Sequence, residues 1–176
     1  MSSADQAEIP PGGLEELGAQ VGTYLDGAQD GRGLRIALAC SLFNGGITYR
    51  LAKGALRGLE QSSVEREAVT MAWAPGAFEL PLLAQKFATS GSFEAVVCLG
   101  AVIRGETGHY ELVAGECAAG IARVQLDTGI PVIFGVLTTE TLAQALERSL
   151  PDDSNKGLEA ALAAVRMVRL LGSEKI

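Results

Sequence analysis

Cys98-Leu99-Gly100-Ala101-Val102-Ile103-Arg104-Gly105-Glu106-Thr107-Gly108-His109-Tyr110 is an apolar run that stops at a two-glycine turn. Glu94 to Leu99 reads as a buried strand, because it is short, apolar and holds two adjacent valines. Gly105 and Gly108 break that pattern, as a loop passing close to a ligand does. Tyr110 to Asp127 then carries Leu112, Val113, Cys117, Ile121 and Val124 at roughly helical spacing, so a helix follows. The sole histidine of the chain, His109, therefore stands where strand turns into helix. In an open parallel sheet that is the carboxyl edge, where ligands bind. Free N–H groups around Gly105-Glu106-Thr107 and at the helix start suit an anion such as phosphate. An imidazole there can take and return protons near neutrality. Taken alone, His109 reads more readily as a solvated loop residue that caps or packs locally.

The same alternation extends on both sides. Leu34 to Cys40 predicts a buried strand, Ser41 to Gly46 a loop, and Ile47 to Gln61 a helix with Leu51, Ala55, Leu56 and Leu59 along one side. Ala68 to Ala74 predicts the next strand, closed by Pro75-Gly76. A helix from Phe78 to Thr89 tolerates Pro81 in its first turn. Ile130 to Leu137, rich in β-branched residues, predicts a fourth strand. Thr138-Thr139-Glu140 is expected to start a helix running to Ser149, and Asn155 to cap a last helix ending at Leu171. Four buried strands with intervening helices imply an α/β protein with a doubly wound parallel sheet covered on both faces.

Residues 1–20 are expected to form a mobile N-terminal tail and 21–176 a single domain; Pro10-Pro11-Gly12-Gly13 marks the polar start. Within the domain, Val21 to Leu25 predicts a short strand. Gly27 to Gly33 separates it from the rest, so it is expected to pair outside its own sheet.

Composition narrows the function class. The 176 residues suit one domain with a proper core, and 48% of them are hydrophobic. Mean hydropathy is +0.24, yet no apolar run is long enough for a membrane span. A net charge of −7 argues against a nucleic-acid surface. Cys40, Cys98 and Cys117 are odd in number and sit in apolar surroundings. They read as reduced core thiols of a cytoplasmic protein, with no metal-ligand spacing. The start, with Asp5 and Glu8, does not read as a secretion signal.

The loops after the four strands bring unusual residues to one edge. Exposed Phe43 and Phe78 offer flat apolar surfaces to a planar ring, although each taken singly reads as core packing. Ala77, Phe78 and Glu79 can present backbone groups and a carboxylate to a heterocycle. Arg148 and Lys156 flank a polar break and read by default as solvated charges. The glycine turns lack a Walker lysine and the dinucleotide spacing.

Ser41-Leu42-Phe43-Asn44, Pro75-Gly76-Ala77-Phe78-Glu79-Leu80-Pro81, Gly100 to His109, Pro131 to Thr138 and Asn155-Lys156-Gly157 together resemble lumazine synthase, in order and spacing, from about Leu34 to Leu171. The resemblance implies a three-layer α/β/α sandwich around a flavodoxin-like four-stranded parallel sheet, with an extra N-terminal strand pairing with a neighbouring subunit. It implies a transferase of riboflavin biosynthesis. That enzyme condenses 5-amino-6-(D-ribitylamino)uracil with 3,4-dihydroxy-2-butanone 4-phosphate to 6,7-dimethyl-8-ribityllumazine, phosphate and water, without cofactor or metal. By the same resemblance His109 transfers protons. Phe43, Ala77, Phe78, Glu79, Ala101, Val102 and Ile103 contact the pyrimidine and its ribityl chain, joined by Phe134 from a neighbouring subunit. Glu106, Thr107 and Arg148 hold the phosphate of the other substrate, and Asn44 and Lys156 lie near the site. The implied partners are further copies of the chain, as a homopentamer or a sixty-subunit icosahedral shell, and riboflavin synthase. Two other classes fit the same residues: an inactive relative that binds a flavin or lumazine, and a shell-forming structural protein. A turnover assay separates them from the enzyme.

Overall fold

Four strands form one sheet: β1 (Ile36–Ser41), β2 (Val69–Ala74), β3 (Ala95–Ile103) and β4 (Val132–Thr139). They come from a computed structural model that describes residues 9–173 of the chain. All neighbours pair in parallel in the order β2-β1-β3-β4. β3 is interior and buried along nearly its whole length, as a strand covered on both faces must be. Alternation along β1 divides the core in two. Ile36, Leu38 and Cys40 face one cluster with Leu51, Ala55 and Leu59 of α2 (Gly45–Gln61) and Ala161, Ala164 and Val165 of α6 (Lys156–Leu171). Ala37 and Ala39 face the other, with Leu80 and Ala84 of α3 (Leu80–Ala88) and Cys117, Ile121 and Val124 of α4 (His109–Thr128). The small alanines of β1 let α3 approach the sheet closely.

The result is the expected three-layer α/β/α arrangement of the flavodoxin-like kind. The chain enters the sheet at β1, moves out to β2, then crosses back to β3 on the far side of β1. Crossovers therefore leave β1 and β3 in opposite directions, and a crevice opens between their carboxyl ends. Among the described residues no helix is long and apolar enough to cross a membrane.

Several local expectations shift. β3 runs to Ile103 rather than Leu99, because its ladder with β4 continues to the pair Ile103–Thr139. Thr138 and Thr139 belong to that ladder, not to a helix start. The cap is Thr141, whose hydroxyl accepts from the Gln144 N–H at 3.2 Å while the Gln144 side chain bonds back to the Thr141 amide; α5 (Leu142–Glu147) follows. The helix expected from Phe78 divides into a 3-10 turn at Ala77–Glu79 and α3. Within the stretch expected to be mobile, Leu14 to Ala19 suggests a short helical turn, and a short α1 covers Gly13–Gly18. Residues 1–8 of that stretch lie outside the described residues. Val21 to Leu25 forms no strand here and pairs with no strand of this sheet.

Candidate active site

At the floor of the crevice the loop after β1 is tied to the end of β3 by a side chain. Asn44, at the start of α2, takes left-handed backbone angles with φ 56°. Its Nδ2 donates to the Ala101 carbonyl at 2.9 Å. The loop after β1 also extends the ladder toward β2: Leu42 N–H donates to Ala74 O at 2.9 Å and Phe43 N–H to Pro75 O at 3.0 Å. Beneath them Ser41 and Thr48 share a buried hydroxyl pair at 3.3 Å. A side chain at Gly100 would press on that Ser41 hydroxyl at 2.7 Å, so glycine is what lets β3 pass there. Two adjacent loops are thus fixed to the end of the interior strand.

Above this anchorage lies a cleft of about 550 Å3 lined by Phe43, Pro75-Gly76-Ala77-Phe78-Glu79, Ala101-Val102, His109, Leu112 and Val113. That volume is in the range of a small-molecule site. Seven of the expected site residues come together in it: Phe43, Ala77, Phe78, Glu79, Ala101, Val102 and His109. Phe43 is 73% exposed and Phe78 56% exposed, which rules out the core-packing reading for both rings. Ala77, Ala101 and Val102 form the buried floor. The Glu79 carboxylate folds back over Gly76, where an added Cβ would lie 3.1 Å from Oε2. Of the lining residues, Glu79 and His109 alone are ionisable.

His109 is the first residue of α4, and its N–H reaches the Thr107 hydroxyl oxygen at 3.4 Å. Glu106 and Thr107 are exposed beside it, in the loop that leaves β3, but are not part of the cleft wall. Neither is Ile103, half-buried at the end of β3. Leu112 and Val113 are site residues that sequence reasoning assigned only to the packed helix face. Their position three and four residues after His109, one turn on, was the available signal.

Three expected contributors stand elsewhere. Phe134 is 41% exposed on the β4 face that also carries Val132 and Val136. Arg148 ends α5, with its Nη1 donating to the Gln144 carbonyl at 3.1 Å and lying 3.6 Å from the Glu147 carboxylate. Lys156 starts α6 with its Nζ 2.7 and 2.8 Å from the Glu159 oxygens. The Lys156 N–H donates to the Arg148 carbonyl at 3.0 Å, so these two cations are held as a unit across the intervening link. None of the three lines the cleft that holds His109. A larger cavity of about 880 Å3 runs along α2 beside Ser149, Pro151 and Asn155, and none of the expected site residues lines it.

The arrangement offers two exposed aromatic rings, a small apolar floor, one carboxylate and one imidazole at a helix start. It can hold a flat ring and move a proton at the ring's edge. The sequence model of the 6,7-dimethyl-8-ribityllumazine synthase family matches residues 33–172. That span contains the whole sheet and every residue of the cleft, and the chain belongs to this family.

Proposed function

We propose that the chain condenses 5-amino-6-(D-ribitylamino)uracil with 3,4-dihydroxy-2-butanone 4-phosphate to give 6,7-dimethyl-8-ribityllumazine, with loss of phosphate and water. The observation that carries this reading is the gathering of Phe43, Phe78, Glu79 and His109 around one apolar cleft at the β1/β3 crevice. The pyrimidine stacks between exposed rings, and backbone groups of Ala77-Phe78-Glu79 read its edge. The 5-amino group attacks the ketone and water leaves as the imine forms. Phosphate is then eliminated, the ribityl-bearing nitrogen closes the ring, and a second water departs. Each step moves a proton, and His109 is the group placed at the cleft to carry it. Glu106 and Thr107 offer loop N–H groups to the phosphate.

Phe134, Arg148 and Lys156 contribute to a cleft on an adjacent copy. Their placement away from His109 in a single chain supports a site shared between subunits. The assembly is a homopentamer, extending to an icosahedral shell, located in the cytoplasm and able to associate with riboflavin synthase. The test is direct: mix both substrates with the purified assembly and follow lumazine absorbance and fluorescence. Ligand binding without product overturns the enzymatic reading in favour of a binding or shell protein.

A further inference from the structure

Arg104 stands in the strand–loop–helix stretch, and the chemistry above gives it no part. Its N–H donates to the Thr139 carbonyl at 2.9 Å, which carries the β3–β4 ladder one residue past the strands. From that fixed point its side chain spans two carboxylates. Nη1 pairs with Glu111 in the first turn of α4. Nε pairs with Glu140, just beyond β4, at 2.6 Å. The guanidinium carbon also lies 4.1 Å from the centre of the Tyr110 ring. One planar cation therefore touches both residues that follow His109 and fastens them to the end of β4. The intervening residues 105–108 are exposed, and Thr107 meets the His109 N–H only at 3.4 Å. The bond to Arg104 holds the Glu111 carboxyl below its ordinary range, so the pair stays charged through neutrality.

We propose that Arg104 is a positioning residue for His109: by bridging Glu111 and Glu140 across the Tyr110 ring, it locks the first turn of α4 to β4 and fixes the imidazole at the cleft. A lone exposed ion pair holds little. A guanidinium fork with two carboxylates and a ring beneath it selects one geometry, which an ammonium on a flexible stem does not. The kinetic part of the test rests on the lumazine-forming reading, and the spectroscopic part does not.

Arg104→Met, Glu140→Gln and their double variant are compared with the parent assembly. Arg104→Met is expected to lower kcat about 10- to 100-fold, the range for a small misplacement of a reacting group, while the KM for the pyrimidine stays unchanged. Arg104→Lys should recover little of the loss. Glu140→Gln should slow kcat less, and the double variant should be no slower than Arg104→Met. His109 is the sole histidine, so its imidazole carbon–proton resonance in histidine-labelled protein reports its position without ambiguity. That resonance should move and broaden in Arg104→Met. An unmoved resonance, an unchanged kcat or an additive double variant each overturns the proposal. A parent that forms no lumazine sinks the reaction proposed above, and the histidine resonance alone then decides the positioning role.

Discussion

At the residue level the cleft separates two kinds of work. In the proposed reaction the rings and the floor hold a flat substrate, whereas His109 moves protons. His109→Ala should therefore retain pyrimidine binding and slow turnover by roughly ten- to ten-thousandfold, the range for a general acid–base group. Titration of the pyrimidine alongside steady-state rates checks this, and parent-level turnover in the variant removes the assignment. Arg148 should behave differently, because a planar guanidinium pairs with phosphate oxygens and not with a uracil ring. Arg148→Ala is expected to raise the KM for the butanone phosphate about 10- to 100-fold, equivalent to the ~1.5–3 kcal/mol of hydrogen bonds to a charged group. Pyrimidine affinity should stay put; equal losses for both substrates, measured by titration, contradict the role. Phe43, Phe78 and His109 each read singly as packing or loop residues; they became legible as a site because the strand order brings their loops to one sheet edge and the motifs around them resemble one family. The sequence did not place Arg148 and Lys156 relative to His109. Their distance from it depends on how α5 and α6 fold back, and periodicity does not encode that.

Among the elements, the junction of α2 with α6 shows what Asn155 and Gly157 do besides flanking Lys156. Asn155 is 1% exposed and caps α6, accepting from Gly157 N–H at 2.9 Å and Leu158 N–H at 3.3 Å. Its Nδ2 donates to the Leu150 carbonyl at 2.7 Å. A Cβ on Gly54 would overlap the Asn155 side-chain oxygen, and one on Gly157 would overlap the Leu51 carbonyl. Of Asn155-Lys156-Gly157, only Lys156 turns outward; the flanking pair lets the two helices touch. Asn155→Ala removes a cap and takes the donor from the part-buried Leu150 carbonyl, and should lower stability by about 1–3 kcal/mol. Urea unfolding at fixed protomer concentration measures this, and an unchanged midpoint contradicts the junction's importance. Sequence reading found the Asn155 cap yet put the α5 cap at Thr138 and Thr139 instead of Thr141, because three nearby threonines and an acid satisfy the same rule. Pairing with β3, a tertiary fact, decided between them. The three cysteines read as core thiols are buried in the structure. Burial pushes Cys40 and Cys117 up to about 12 and Cys98 far above the ordinary range, the last aided by its sulfur neighbours. An acid whose folded value is raised binds its proton more tightly when folded. Stability should therefore be unaffected below the ordinary thiol value of 9.0 and fall as pH rises from there toward 12. Thiol reagents at pH 8 should label the folded protein far more slowly than the urea-unfolded chain. Equal labelling rates contradict the burial.

For the whole molecule, the question is what the first segment is for. Residues 26–32 are stapled to the body: Gln29 Nε2 donates to Ser62 Oγ at 3.0 Å, and Arg169 donates to the Asp30 and Arg32 carbonyls at 2.6 and 2.7 Å. The segment before them carries several outward apolar side chains among polar ones. Leu17 is 60% exposed and Val21 56% exposed, and Tyr24 lies against Gly18 of the same limb. Such surface seeks a partner. The free edges of the sheet, β2 and β4, supply sites for strand addition. Membership in the lumazine synthase family implies a role in riboflavin biosynthesis, and the shared site proposed for it requires a neighbour that brings Phe134, Arg148 and Lys156. If Val21 to Leu25 pairs with that neighbour's sheet, assembly and catalysis depend on one segment. Deleting residues up to Leu25 should then loosen the oligomer and lower activity with it, while deleting only residues up to Gly13 should do neither. Light scattering and sedimentation velocity on both truncations, with lumazine formation assayed on each separated species, measure the two effects together. A fully active monomer from either truncation would break the link between assembly and the site. Loss of the oligomer without loss of activity would show that one chain builds its site alone.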